Sequence, residues 1–283
     1  MSISSLRIGF CCLVACALVA NRALAQERPY FVTYDHYLEE PGNLEIAVAS
    51  TSGFPKEGRG YSAPWLELEY GVNGWWTAEI YLEGVTTRHA GSAFGGWRWE
   101  NRFRPFKGEH RLNPVLYVEY ENINEASRIQ KEIVGGGPLS IEPIGGLREE
   151  HARELEGKLI LSSAAGAWNV SENFVLEKNL SEDEGVEFGY SVGISRSLGG
   201  LASGNTCYFC RENFVLGAEA YGGLGSTSAG IEATRHFIAP VVSWRVGNRN
   251  ALKASLGFGL TESSDRYLLR VGWAYELPVR RAR

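Results

Sequence analysis

The sequence lacks any long apolar run beyond its first twenty-five residues. No later stretch approaches the roughly eighteen continuous apolar residues that a membrane-spanning helix needs. Helices therefore cannot carry this chain across a bilayer. Any membrane crossing must use strands, which have to close into a barrel so that every backbone polar group is paired.

A surplus of basic residues is also missing. The chain has 28 Lys and Arg against 33 Asp and Glu, and its formal net charge is −5. Removal of the amino-terminal segment described next, with Arg7 and Arg22, makes the charge more negative still. Binding to nucleic acid requires a basic face, so we expect no nucleic-acid partner.

The first twenty-five residues have the pattern of an export signal. Arg7 precedes an apolar run at 8–20 that is too short for a permanent anchor, and Ala23-Leu24-Ala25 supplies a cleavage site. We predict a signal peptide at 1–25 and one mature domain at 26–283, without a linker. In an alternative interpretation, Leu13 to Cys16 form a lipobox, and Cys16 is the lipidated amino terminus.

Cysteine is scarce, because export removes three of the five cysteines and leaves only Cys207 and Cys210. Cys-x-x-Cys spacing occurs in redox proteins, but no βαβ pattern surrounds it here, and two thiols alone make a poor zinc site. We predict a local disulfide formed in an oxidising compartment, with redox chemistry or metal binding as the alternatives.

Alternation of apolar and polar residues recurs in pieces of about ten residues along the mature chain. Globular strands average five or six residues, whereas a tilted strand crossing a bilayer needs about nine to eleven. The pattern predicts an all-β fold, an antiparallel transmembrane β-barrel of about twelve strands. The predicted strands span residues 43–50, 63–72, 75–85, 94–104, 113–121, 156–163, 168–179, 185–196, 212–222, 235–246, 251–261 and 266–276.

The connections fit a barrel with both termini in the periplasm, which has short periplasmic turns and longer outer loops. Asn73-Gly74 is a typical hairpin turn. The 197–211 connection does not fit, because it is long where a short turn is expected. The seventh strand is also irregular: Glu172 would share the lipid-facing side with Val170 and Phe174, which favours a bulge or a shifted register.

Charged residues share the face of each strand that is opposite the apolar one, as the lining of a lumen would. Cross-strand ion pairs are expected between the fourth strand and its neighbours. This charge cluster is predicted either to form a constriction that sorts solutes by charge or to close the lumen as a structural plug. Its members are Glu79, Glu83, Arg98, Glu100, Arg102, Arg104, Glu119 and Glu121.

Three segments carry a resemblance to a known family: 41–45 (PGNLE), 97–105 (WRWENRFRP) and 154–161 (ELEGKLIL). Together they resemble a poorly characterised family of bacterial outer-membrane barrels, similar in style to the outer-membrane proteins of aromatic-degradation clusters. The resemblance implies a porin-like barrel without catalytic residues. One departure is the carboxyl terminus, where 277–283 follow the last aromatic residues instead of the usual terminal aromatic.

We therefore expect a Gram-negative outer-membrane barrel that gives passive passage to small solutes or hydrophobic compounds. The alternatives are a closed structural or surface-binding barrel and, less favoured, a barrel hydrolase. The expected partners are outer-membrane lipid, the barrel assembly machinery and small solutes, with no cofactor and no metal.

Two regions carry more specific expectations. The five histidines are far apart in sequence, so we expect no enzyme, because a nucleophile, base and orienting acid cannot be assembled from them. The 122–155 connection is predicted to be either a pore-narrowing loop or an exposed loop without a function. Residues 147–154 could form a helical turn.

Overall fold

A computed structural model describes residues 29–58, 60–87, 91–124, 151–181, 185–199, 207–228 and 234–279. Within these ranges the only helix is a single 3-10 turn, Arg211–Asn213, and none is long and apolar enough to cross a membrane. The strands are β1 Asn43–Phe54, β2 Tyr61–Asn73, β3 Trp76–Thr87, β4 Gly91–Phe103, β5 Asn113–Asn124, β6 His151–Ala165, β7 Trp168–Asn179, β8 Val186–Ser197, β9 Phe214–Ser226, β10 His236–Val246, β11 Asn250–Gly259 and β12 Tyr267–Pro278.

The twelve strands form a closed antiparallel barrel in which each strand pairs with its neighbours in sequence. The barrel closes where β1 pairs with β12, from Asn43↔Pro278 to Phe54↔Tyr267. The prediction of about twelve antiparallel strands is confirmed. We call the end with Asn43 and Pro278 the terminal end, and the opposite end, with Phe54 and Tyr267, the loop end.

Successive side chains of each strand point to opposite faces, which gives the barrel an apolar outer surface and a polar inner one. In β7, Val170, Phe174 and Leu176 are exposed outside, while Ser171, Asn173 and Val175, which alternate with the outward residues, are buried inside. Rings collect near the terminal end, where Trp75, Trp76 and Phe103 lie in contact. Such an apolar band with aromatic rings at its edge is typical of a surface that faces lipid.

Two local expectations are corrected. β7 has a continuous register with both neighbours, so it has neither a bulge nor a shift, and Glu172 lies exposed on its outer face. β6 already begins at residue 151, so 151–154 are strand and not part of a helical turn. The rest of the long connection, 125–150, lies outside the described residues.

The pairing of the wall is interrupted at a proline in β10. Pro240 lies in the middle of β10 and has no N–H to donate, and the β10–β11 pairing is interrupted there, between Ile238↔Phe258 and Val241↔Ser255. The register is the same on both sides of the gap. The interruption is therefore a local defect and not a bulge.

Candidate functional site

The lumen contains a segment of the chain that precedes the first strand. Residues 29–42 run inside the barrel near the terminal end, and we call them the N-terminal plug. Tyr30, Thr33, Tyr34 and His36 of the plug are almost fully buried. None of the residues 29–41 forms a strand, so side chains of the wall provide most of the hydrogen bonds that hold the plug.

One carboxylate holds the innermost part of the plug. Glu219 on β9 accepts hydrogen bonds from the backbone N–H groups of Phe31, Val32 and Thr33 at 3.3, 3.0 and 3.0 Å. Hydrogen bonds to an ionised acceptor are stronger than neutral ones. Glu219 is itself buried and thus replaces the water that these amides would otherwise bind.

Tyr34 attaches the plug to two further strands of the wall, β4 and β7. Its hydroxyl donates to Glu100 at 2.9 Å, and its backbone N–H donates to Asn173 Oδ1 at 2.6 Å. Asn173 returns a hydrogen bond to the Tyr34 carbonyl at 2.9 Å. The ring packs edge-on against Tyr117, so this residue is fixed both by hydrogen bonds and by packing.

His36 joins a serine and an acid, contrary to the expectation that no such set could be assembled. His36 Nδ1 lies 2.8 Å from Ser162 Oγ, and Nε2 lies 2.8 Å from Glu109 Oε2. Ser162 accepts a hydrogen bond from the Asn169 amide, and the Glu109 carboxylate can only accept, so the tautomer that fits has its proton on Nε2 and accepts from Ser162 at Nδ1.

This trio has the hydrogen-bond order of a hydrolase triad, but its setting is that of an anchor. Ser162 is fully buried, and two of its contacts come from neighbouring wall residues. A nucleophile must reach a substrate carbonyl, and a buried serine beneath the plug does not. The trio therefore fixes the plug to β6 and to the β4–β5 connection.

The predicted charge cluster lies mostly inside the barrel. Arg98 pairs with Glu83 and, at 3.0 Å, with Glu119. Arg102 pairs with Glu69, with Glu79 and, at 3.2 Å, with Glu100. Glu121 is buried on the same inner face.

Arg104 is the exception within that set. It lies one residue beyond the end of β4 and pairs at 3.1 Å with Glu109, which is largely exposed in the β4–β5 connection. Strand alternation cannot place a side chain correctly once the strand has ended. Arg104 belongs to the rim of the terminal end and not to the buried cluster.

Nine inward glutamates occupy register-matched positions on nine consecutive strands. Each lies directly opposite the next across a strand pair, and we call the series the glutamate row. Because barrel strands are tilted, the row climbs from the terminal end at β12 to the loop end at β8. In order around the wall it comprises Glu276, Glu45, Glu69, Glu79, Glu100, Glu119, Glu156, Glu177 and Glu187.

Three basic side chains lie along the middle of the row. Arg98 and Arg102 make the ion pairs given above, and Lys158 pairs with Glu156 at 2.7 Å. Like charges directly opposite one another destabilise a sheet, so these cations are needed to hold the row in place. The sequence predicted several members of the row, but not its continuity, which depends on the register of all the strands.

A cavity of about 90 Å³ opens above the plug on the side toward the loop end. Phe31, Val32 and Tyr34 of the plug line it together with Trp65, Tyr81 and the charges of Arg98, Lys158 and Arg270. Arg98 lies over the Tyr81 ring, 4.1 Å from its centroid. The lumen therefore offers a polar, aromatic vestibule that the plug closes from below.

Cys207 and Cys210 form a disulfide in the structure, in the connection between β8 and β9. Phe209, between them, is strongly exposed and stacks on Trp244 with ring centroids 4.8 Å apart. The small loop thus extends the aromatic rim at the terminal end. The redox state of the two thiols in the cell remains a prediction.

Comparison with known proteins identifies the fold. No family model matches the chain, and no curated protein matches it in sequence. Among solved structures it is similar to the COG4313 outer membrane channel from Pseudomonas putida F1, with a TM-score of 0.56 and 11% identity over 89% of this chain and 100% of that one. It is also similar to the NanC porin, with a TM-score of 0.51 and 10% identity over 83% of this chain and 100% of that one. The chain thus has the fold of the bacterial outer-membrane barrels that form porins and channels.

Proposed function

We propose that this protein is an outer-membrane channel for small polar solutes, closed at rest by its own N-terminal plug. The observation that carries the proposal is the plug itself, which crosses the lumen beneath an open, charged vestibule. The fold shared with an outer-membrane channel supports it. The expected location is the outer membrane of a Gram-negative bacterium.

The contacts of the plug favour a movable closure over a permanent filling. A strand inserted into the wall would be held by a continuous backbone ladder, whereas residues 29–41 form no strand. Glu219, Asn173 and Ser162 hold the plug through single side-chain groups on separate strands. Such groups can exchange their partners for water when the plug leaves.

The chemistry of the lining indicates the class of solute. The glutamate row places more carboxylates than basic groups on the inner wall, and rings of acidic side chains favour cations in pores. The described residues form three small apolar clusters, one of which joins Tyr221, Phe237, Ala239 and Leu268 to Val32 of the plug. The lining therefore favours small polar or cationic solutes over hydrophobic compounds.

Single-channel conductance in planar lipid bilayers tests this function. We expect the refolded mature chain to be closed most of the time, and a variant lacking 29–40 to give steady current steps. Under a salt gradient the deletion variant should be selective for cations. The matched control is full-length protein with Glu262→Gln, an exposed change at the loop end that should leave the closed state intact.

A folded and inserted deletion variant that stays silent would contradict the proposal. It would favour the alternative of a structural or surface-binding barrel whose lumen is closed by its own charges. Folding must be shown independently, by a compact band in unheated electrophoresis, so that silence is not confused with failed assembly.

A further inference from the structure

Three carboxylates meet where the plug joins the wall. Glu39 comes from the plug, Glu45 from β1 and Glu276 from β12, and one oxygen atom from each lies within 4.8 Å of the others. Glu45 and Glu276 are directly opposite each other across the pairing that closes the barrel. The three groups form the terminal-end start of the glutamate row, with the plug supplying one of them.

Burial makes this meeting of like charges costly. Glu39 and Glu45 are both buried, with 9% and 6% of their surface exposed. A carboxylate removed from water needs either a proton or a positive partner.

Glu39 also points to a ligand independently of the clustering. Its Oε1 atom is buried and has no hydrogen-bond partner. Buried polar atoms are nearly always paired, so an exception calls for a group that would complete it. The positive charges of Arg245 and Arg249 interact with Glu276, at the exposed side of the trio. Asn43 donates a hydrogen bond to Glu39.

We propose that Glu39, Glu45 and Glu276 bind one divalent cation of the Ca²⁺ or Mg²⁺ class. Three carboxylates and no nitrogen or sulfur donor make a set that such hard cations prefer, with water completing the coordination. The separation of the oxygens fits ligands on a common ion. The half-exposed Glu276 leaves a path for the ion from the terminal end.

The cation would fasten the plug to the wall. Two of its ligands belong to the strands that close the barrel, and the third belongs to the segment that closes the lumen. Metal binding at this position therefore stabilises the closed state of the channel. Only this consequence rests on the proposed function, because binding itself does not depend on whether the barrel conducts.

Calorimetric titration of the refolded mature chain with CaCl₂, after removal of metals by a chelator, tests the site. We expect one saturable Ca²⁺ per chain, and affinity reduced by at least ~10-fold in Glu39→Gln and in Glu276→Gln. Glu262→Gln is the matched control and should bind as the parent does. No saturable binding, or unchanged binding in Glu39→Gln, overturns the proposal.

Limited proteolysis separates the two proposals. If the cation fastens the plug, Ca²⁺ should slow cleavage within 29–42 in the parent chain but not in Glu39→Gln. Binding without protection of the plug would overturn the fastening role. Binding with protection, in a barrel that stays silent even after deletion of 29–40, would keep the metal site and reject the channel.

Discussion

Arg102 is the residue whose loss should destabilise the wall most. It is buried and pairs with Glu69, Glu79 and Glu100, so Arg102→Met leaves three carboxylates without that cation. Removing one partner of a buried ion pair costs about 3–5 kcal/mol. We expect the free energy of unfolding, measured by urea titration of vesicle-inserted protein, to fall by about that amount.

Arg104→Met is the matched control for this change. Its partner Glu109 is largely exposed, and exposed ion pairs contribute only about 0–1 kcal/mol. Equal unfolding midpoints for the two variants would show that the buried network is not stabilising.

For individual residues, the sequence could predict which face of the barrel many side chains point to, because strand alternation has a period of two and β4 is regular. Arg98 and Arg102 were therefore placed beside the correct neighbours. Arg104 was not, since no local pattern marked Phe103 as the last strand residue. Glu219 was not singled out either, because its partners lie on the plug.

Among the wall side chains, Glu219 should have the strongest control over the docking of the plug in the lumen. Glu219→Gln keeps the size of the side chain but removes the charge that three plug amides share. Hydrogen bonds to charged groups contribute about 1.5–3 kcal/mol, so the docked state should lose much of that stabilisation. We expect more frequent channel openings in planar bilayers.

Ser191→Ala provides the control for that measurement. Ser191 is buried on β8 and donates only to Asn173, so its loss removes one neutral contact. If Glu219→Gln opens no more often than Ser191→Ala, the carboxylate does not hold the plug.

The elements differed in how well they could be predicted. The strands were found because each repeats its own pattern over ten or more residues. The plug carries no such repeat, and the partners of Tyr34 and Val32 lie 139 and 187 positions along the chain. Sequence patterns report local periodicity, so contacts at that distance leave no signal in a single sequence.

For the whole molecule, closure of the barrel should be all or none. Deleting residues 267–283 removes β12 and leaves β1 and β11 with open edges, which cannot be satisfied in lipid. We expect the full chain to run as a compact band in unheated electrophoresis and to shift on heating. The truncated chain should show only the unfolded band.

A heat-sensitive compact band from the truncated chain would contradict this closure. It would mean that eleven strands can pair with one another without β12. Full-length protein treated identically in the same detergent is the reference for both bands.

The plug also sets an order of events during assembly. It precedes β1 in the chain, yet its anchors on β4, β6, β7 and β9 come much later in the chain. Those anchors face one another only once the wall has closed. We therefore expect the wall to close around a hollow lumen before the plug docks, so that the barrel passes through an unplugged state while it folds.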